Sequence, residues 1–370
     1  MNVLSNVEAS QEGATCEEII HGGDLDAAAR RYGIPKDEWI DLSTGLNPCA
    51  YPVANIPAHV FAELPYLRDE FINAAKTYYD FNNLLAVNGT QMAIQVLPRV
   101  LKKVGVLLPS LGYQEHLKHW QQSGQVNEFY DSSDETLACE QIDQSIKENS
   151  CQHLLIINPN NPSGLLFSVQ QINQWANALN EGCYVVVDEA FMDLTPHQSV
   201  LGEGMAKNII VLRSFGKFFG LAGIRLGFVL SKDKVLLKEI ENKLGLWSVN
   251  GPAQHIATQA LQDVSWQQET INRLPIDSEK NKKVFSKVFL SDDIHLIKQA
   301  HTGLFSSYWL EAFQAYSLYD FFARNSILLR LIFVSKDIKV IRIGLHDRHK
   351  VGRASIEGVI EKYLEEIANH

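Results

Sequence analysis

The sequence has few cysteines, no basic run and no long apolar stretch, and each absence excludes a class of protein. Its cysteines are odd in number and scattered, which argues against a disulfide framework or a thiolate metal site: Cys16, Cys49, Cys139, Cys151 and Cys183. Lysine and arginine total 33 against 43 acidic residues, a net charge of −10, so nucleic acid is an unfavourable partner. No apolar run approaches the roughly 20 residues of a membrane span, and residues 1–15 lack the apolar core of a signal peptide. We therefore expect a soluble, cytoplasmic protein.

What is present is an ordinary globular composition, 46% hydrophobic and 21% charged, over a length of 370 residues. That length exceeds what a single core usually holds, so a large and a small domain are expected. Between residues 84 and 230, short apolar runs alternate with helical patterns, which predicts a mostly parallel, seven-stranded α/β sheet flanked by helices. The runs are 84–87, 104–108, 126–130, 154–157, 184–187, 209–212 and 226–230.

The ends of the chain have a different pattern, which predicts a smaller α+β domain. A short capped helix is expected at 25–32, followed after residue 270 by strands and helices. The expected strands are 301–309, 327–333 and 340–345, and the expected helices are 312–324 and 353–368. We predict an N-terminal arm with part of the small domain at 1–50, the large cofactor-binding domain at 51–270, and the C-terminal small domain at 271–370.

The strongest chemical signal is Lys217, in a segment between two strand-like runs. Ser214 stands three residues before it and Arg225 eight residues after it, a hydroxyl and a forked cation that suit a phosphate. A buried lysine has a lowered pKa and attacks aldehydes as a neutral amine. Taken alone, Lys217 would more often be a solvated loop residue. A P-loop is excluded, because valine and phenylalanine stand where that motif needs glycine and a hydroxyl residue.

Two further polar residues follow predicted strands, where open α/β sheets bind ligands. Asp188 ends the apolar run 184–187 and could pair with a protonated ring nitrogen, although a helix cap is equally plausible for a lone aspartate. Asn161 lies in the rigid turn 158–164 and could donate to a phenolate oxygen, although an isolated Asn-Pro is more often a turn residue only.

These residues together resemble the fold-type I pyridoxal 5'-phosphate (PLP) enzymes, the class I/II aminotransferase family. The resemblance rests on five residues in the family's order and covers nearly the whole chain: Asn161, Asp188, Ser214, Lys217 and Arg225. It implies that Lys217 forms the Schiff base with PLP, that Asp188 contacts the pyridine nitrogen, and that Asn161 contacts the 3-hydroxyl.

The same resemblance implies further cofactor contacts. Gly89, Thr90 and Gln91 occupy the family's phosphate-binding turn, where backbone N–H groups and the helix dipole favour an anion. Tyr113 matches the aromatic residue that stacks on the pyridine ring, although in isolation it would be assigned to the core. The family also implies a homodimer. Relatives often place Tyr-Pro in the segment that crosses to the partner; here Leu64 precedes the proline, so that contact stays unassigned.

Within the family, segments 21–25, 41–48 and 247–250 resemble a branch that decarboxylates a phosphorylated amino acid for cobalamin biosynthesis. Phe191 points the same way, because aminotransferases commonly have a tyrosine there whose hydroxyl reaches the cofactor's phenolate oxygen. A histidinol-phosphate-type aminotransferase using 2-oxoglutarate is an alternative. A non-catalytic PLP-binding protein is a third reading, although regulators on this fold usually carry a fused DNA-binding segment.

The resemblance implies a set of substrate-binding residues from the two ends of the chain: His21, Ser43, Asn47, Arg330 and Arg342. Two arginines near one pocket suit a substrate with two or three negative charges. Arg342 lies in a segment that resembles the one carrying the family's carboxylate-binding arginine. Taken alone, His21 could as well be a capping residue.

Overall fold

Alternating strands and helices make this an α/β protein in the computed structural model, which describes residues 21–125, 127–347 and 352–368. The strands are β1 (Ile40–Asp41), β2 (Leu84–Val87), β3 (Gly105–Pro109), β4 (Asn127–Tyr130), β5 (Gln152–Ile157), β6 (Val185–Asp188), β7 (Ile209–Ser214), β8 (Gly227–Ser231), β9 (Leu296–His301), β10 (Phe305–Glu311), β11 (Ile327–Leu328), β12 (Arg330–Phe333) and β13 (Ile338–Gly344). Expectations for residues 1–15 and for Val126 lie outside the described residues.

The helices that connect these strands range from one turn to 26 residues. They are α1 (Leu25–Tyr32), α2 (Ala58–Ala62), α3 (Asp69–Tyr79), α4 (Thr90–Val100), α5 (Gln114–Gln122), α6 (Glu135–Glu148), α7 (Val169–Ala178), α8 (Phe215–Phe218), α9 (Lys234–Leu244), α10 (Gly251–Gln262), α11 (Val264–Phe289), α12 (Ala312–Arg324) and α13 (Ile356–Ala368). Over the described ranges, none of them is both long and apolar enough to cross a membrane.

The chain divides into two units. The large unit is Cys49–Asn272, and the small unit combines the described residues up to Pro48 with those from Arg273 onward. The predicted helix at 25–32 is confirmed in the small unit: Asp24 accepts from the Ala27 N–H at its start, and Gly33 ends it in the left-handed conformation at φ 67°.

The large unit is built on a seven-stranded sheet of order β2-β8-β7-β6-β5-β3-β4, within the residues described. Its neighbours pair in parallel except at β8, which runs antiparallel to β2 and β7. The prediction of a mostly parallel sheet is confirmed, and each predicted run overlaps one of its strands. Every residue of β5 and β6 is buried, as expected of central strands covered on both faces.

The connections of this sheet decide where a ligand can bind. Because β3, β5, β6 and β7 are parallel, their carboxyl ends lie at one edge, and the amino end of the antiparallel β8 lies at the same edge. Apolar side chains of α4 and α9 pack on the sheet and fix that edge, among them Ile94, Leu97, Leu237 and Ile240. Residues that follow the parallel strands, or precede β8, therefore share one rim.

The small unit contains a four-stranded antiparallel sheet of order β12-β13-β10-β9 and the parallel pair β1-β11. The prediction of one strand at 301–309 was wrong: the chain turns back after His301, where Thr302 N donates to Phe305 O at 2.8 Å, so β9 and β10 form a hairpin. The single strand expected at 327–333 also divides, because β11 pairs with β1 whereas β12 pairs with β13.

Candidate active site

All the residues predicted to bind a cofactor belong to the large unit, and the strand topology places them at one rim of its sheet. Asp188 is the last residue of β6, and Ser214 is the last residue of β7. Tyr113 and Asn161 lie in the segments that follow β3 and β5, and Arg225 lies two residues before β8. The sequence separates these residues widely, and the parallel strands bring them back to a common edge.

A small cradle for an anion lies where β2 leads into α4. Gly89 has φ 71°, and no side chain caps the helix that begins after it. A Cβ at Gly89 would lie 2.6 Å from Arg225 Nη2, and one at Gly227 would lie 2.7 Å from Thr90 N. Both positions therefore require glycine, and backbone amides and a guanidinium meet in the space that the missing side chains leave. This combination of a helix N-terminus with an arginine suits a phosphate.

Asp188 is only 3% exposed and is held by two neighbours. Its Oδ2 lies 2.9 Å from His116 Nε2, and its Oδ1 accepts from Ala190 N at 3.0 Å. The carboxylate therefore keeps a fixed orientation at the rim, as pairing with a protonated ring nitrogen requires. Sequence reasoning missed His116. The available signal was its position three residues after Tyr113, which places both rings, 6.2 Å apart, on the same side of α5.

Lys217 lies on the one-turn helix α8, which is fixed by a stack of aromatic rings. Phe215 and Phe219 stack at 4.2 Å, and Phe219 stacks on Trp266 at 5.5 Å. The Lys217 ammonium lies 5.5 Å from the centre of the Phe191 ring. The rigid aromatic base holds the amine at the rim, beside the position where aminotransferases commonly carry a tyrosine. Trp266 was also missed from the sequence.

The turn that carries Asn161 is held by the residues around it. Asn158 exchanges two hydrogen bonds with the backbone of Phe167, at 2.8 and 3.1 Å. Asn160 Nδ2 donates to Leu111 O at 2.8 Å, which ties this turn to the segment before Tyr113. The two loops that present Asn161 and Tyr113 therefore keep a fixed relation to each other.

The five residues predicted to bind the substrate belong to the small unit, where two of them are direct neighbours. Arg330 and Arg342 stand opposite each other on β12 and β13, so their side chains project from the same face. Burial, and after it the neighbouring charge of Arg330, lower the pKa of Arg342 to about 9, while Asp41 opposes the shift. Two adjacent cations, one of them buried, repel each other, and an anion between them would relieve that repulsion.

Two of the remaining three candidates, Ser43 and Asn47, have hydrogen-bonded neighbours within the same unit. Ser43 contributes its carbonyl oxygen to Arg342 Nη2 at 2.5 Å, and its hydroxyl accepts from Gly23 N at 2.7 Å. Asn47 is 2% exposed and accepts a hydrogen bond from Arg273 Nη2 at 3.1 Å, a cation that sequence reasoning did not find. His21 is exposed. Ser43 and Arg342 are thus in direct contact, as a shared site requires.

Residues 56–314 match the family model described as aminotransferase class I and II. The chain belongs to this family, and PLP is its cofactor. The residues present fit that group: a cradle at Gly89 for its phosphate, the buried carboxylate of Asp188 for its ring nitrogen, and the amine of Lys217 for its aldehyde.

Three individual proteins of known name are similar to this chain. A threonine-phosphate decarboxylase of Pseudomonas aeruginosa is 41% identical over 271 residues, 72% of this chain and 78% of that protein. The crystal structure of an L-threonine-O-3-phosphate decarboxylase from Porphyromonas gingivalis has a TM-score of 0.69 at 17% identity, covering 96% of this chain and 99% of that one. A Sinorhizobium meliloti histidinol-phosphate aminotransferase in complex with pyridoxal-5'-phosphate has a TM-score of 0.67 at 18% identity, covering 94% and 100%. The two structural similarities establish the fold alone.

Proposed function

We propose that this chain catalyses the PLP-dependent decarboxylation of L-threonine O-3-phosphate to (R)-1-amino-2-propanol O-2-phosphate, a step of cobalamin biosynthesis. The observation that carries the proposal is the 41% identity, over 72% of the chain, to a protein named for this activity. The phenylalanine beside Lys217 supports it, since an aminotransferase commonly has a tyrosine hydroxyl there.

Four residues at the sheet rim have chemical roles in this proposal. When bound, PLP supplies an electron sink for the bond that breaks at the substrate's Cα. Asp188, oriented by His116, keeps a proton on the ring nitrogen, and Asn161 donates to the phenolate oxygen. Lys217 would hold the cofactor through its Nζ between turnovers, and the same group in its ammonium form would supply the proton that Cα needs once CO₂ has left.

The substrate's charges account for the cations of the small unit. Threonine phosphate carries a carboxylate and a phosphate, and Arg330 and Arg342 together supply a forked, doubly cationic surface for oxygen anions. His21, Ser43 and Asn47 add hydrogen-bonding groups. Because charge-assisted hydrogen bonds discriminate more strongly than a methyl contact, we propose that the phosphate dominates substrate selection.

The test is a turnover experiment with threonine phosphate and no keto acid. A decarboxylase regenerates its cofactor in every cycle, so we expect CO₂ to be released over many turnovers and the original visible spectrum to return. Threonine without the phosphate should be processed with a kcat/KM at least about a hundredfold lower, the loss expected for a few charge-assisted contacts. A single turnover without CO₂, restored by 2-oxoglutarate, would establish the aminotransferase alternative.

The proposal includes a homodimer. The large unit exposes a cluster of apolar side chains in segments 61–67 and 246–247: Phe61, Leu64, Tyr66, Leu67, Leu246 and Trp247. Tyr66 and Trp247 form an edge-to-face pair at 6.1 Å, so the two segments make one patch, the 61–67/246–247 patch. Adjacent exposed aromatic side chains favour burial against another protein. A second copy of this chain is the occupant that the family resemblance favours, and a two-fold dimer would bury the patch on both subunits.

Replacing Trp247 by glutamate should weaken the dimer, because each subunit would then bury an unpaired charge in the interface. We expect the dimer dissociation constant to rise at least about thirtyfold, the effect of losing an interface anchor. Sedimentation equilibrium measures this directly. The matched control is Phe313→Glu, since Phe313 is 70% exposed on α12 of the small unit and lies outside the patch. A monomeric wild-type protein, or equal effects of the two substitutions, would contradict the proposal.

A further inference from the structure

Helix α5 carries a buried acidic side chain that the roles given above do not use. Glu115 is 6% exposed and follows Tyr113 by two residues. Its Oε2 accepts a hydrogen bond from Gln91 Nε2 at 2.5 Å and lies 3.1 Å from His119 Nε2. Its Oε1 lies 3.7 Å from Lys118 Nζ. A carboxylate whose two oxygens contact an amide and two basic side chains is held firmly in place.

Gln91 connects this carboxylate to the aromatic ring at the cofactor site. The Tyr113 hydroxyl donates to Gln91 Oε1 at 3.2 Å, and the amide nitrogen of the same side chain donates to Glu115. Gln91 also lies in the first turn of α4, at the anion cradle beside Gly89. One glutamine therefore joins the phosphate-binding turn to the tyrosine expected to cover the cofactor ring.

The direction of these hydrogen bonds follows from the charge on Glu115. A carboxylate can only accept, so Gln91 must turn its nitrogen toward Glu115 and its oxygen toward Tyr113. The phenol must then be the donor, which fixes the rotation of its O–H and of the side chain that carries it. Without the carboxylate, the amide of Gln91 can turn over, so that Tyr113 either donates to the amide oxygen or accepts from the amide nitrogen.

We propose that Glu115 is a positioning residue: through Gln91 it fixes the ring of Tyr113 over the cofactor and sets the affinity for PLP. This inference rests on the PLP site of the proposed function and adds to it a residue that touches neither cofactor nor substrate. A purely structural link between α4 and α5 would stabilise the protein equally with and without cofactor. A positioning residue changes PLP affinity, and it does so together with Tyr113.

A double-mutant cycle on PLP binding separates these roles. Glu115→Gln and Tyr113→Phe should each raise the PLP dissociation constant about tenfold, because the first removes the charge that fixes the direction of these hydrogen bonds and the second removes the phenol at the end of the chain. The double variant should be no weaker than the weaker single variant. PLP affinity is measured by absorbance titration of the apoenzyme, with the melting temperature of each apoprotein recorded in parallel. Glu140→Gln, an exposed acidic residue on α6, is the matched control and should leave both values unchanged.

A second variant covers the case in which Glu115→Gln folds poorly. Gln91→Met has nearly the same shape, breaks the link, and leaves the contacts of Glu115 with Lys118 and His119 in place. It should also lose affinity in a way that does not add to Tyr113→Phe. This inference alone would be overturned in either of two cases, provided that the wild-type protein binds PLP. In one, the increases in the PLP dissociation constant multiply in the double variant; in the other, the single substitutions leave that constant unchanged. Failure of the wild-type chain to bind PLP would overturn the proposed function, and this inference with it.

Discussion

Replacing Lys217 by alanine is expected to lower kcat/KM by at least about a thousandfold, the upper part of the range for losing a positioned proton-transfer group. The substitution removes the covalent link to PLP and the amine that carries the proton to Cα. Lys217→Arg should be equally inactive, because a guanidinium keeps the charge but stays protonated and cannot act as a nucleophile. An inactive Lys217→Arg variant would show that a positive charge at this position is not enough for activity.

Two measurements check this expectation. Borohydride reduction of the wild-type protein followed by peptide mapping should locate the cofactor on Lys217, and neither variant should be labelled. Lys243→Ala is the matched control, since Lys243 is exposed near the end of α9 and should retain wild-type kcat/KM. A reduced adduct on a different lysine, or substantial activity in Lys217→Ala, would remove this residue from its proposed place.

Much of the large unit follows from local sequence because its central strands are buried on both faces. A run such as 184–187 is apolar at every position and ends in an acid, so both the strand and the polar residue at its end are visible in the sequence. The small unit was harder to predict. Its hairpin between His301 and Phe305 was taken for one strand, although a glycine in that turn was an available signal.

The candidate cofactor residues could be proposed from the sequence for the same reason, because most of them stand in short motifs beside the end of a strand. The residues that support them could not. His116 meets Asp188 across 72 positions of sequence, and Arg273 meets Asn47 across 226. Glu115 acts through Gln91, 24 positions away. Nothing in the residues next to these side chains identifies their partners, because the contacts form only when the sheet and its helices assemble.

A buried charged network lies next to Asp188 and Ser214 in the chain. Neighbouring residues in a strand point to opposite faces, so Arg213 projects from the other face of β7 than Ser214, and Glu189 directly follows the end of β6. Arg213 donates to Glu189 Oε2 at 3.0 Å and to Asp193 Oδ1 at 2.7 Å, with all three side chains at most 3% exposed. Burial alone would lower the pKa of Arg213, but Asp193 and Glu189 together raise it above its ordinary value.

The network pairs one cation with two carboxylates, so removing the cation should lower the stability of the folded protein. Arg213→Met is expected to lower the free energy of unfolding by about 3–5 kcal/mol, the typical cost of leaving a buried charge without its partner. Chemical denaturation measures this directly. The site at the rim would also lose PLP affinity, since Glu189 and Arg213 adjoin Asp188 and Ser214 in the chain.

The loss of unfolding free energy in Arg213→Met, here called the deficit, should depend on pH in a direction set by Glu189. Burial raises the pKa of Glu189 above its ordinary value, and Arg213 opposes that rise. In Arg213→Met the opposing cation is gone, so the folded-state pKa should rise further. A carboxyl group with a raised folded-state pKa binds more protons when folded, so stability falls as the pH climbs from the unfolded-state value to the folded one. The deficit should therefore be larger at about pH 8 than at about pH 5.

The matched control neutralises the whole network. Adding Glu189→Gln and Asp193→Asn to Arg213→Met removes both unpaired charges while keeping side-chain size, so much of the lost stability should return and the pH dependence of the deficit should disappear. A deficit that is the same at both pH values, or one that the triple variant does not reduce, would show that Arg213 contributes by packing rather than by charge. The stacking of its guanidinium 5.0 Å from the Tyr79 ring would then be the relevant contact.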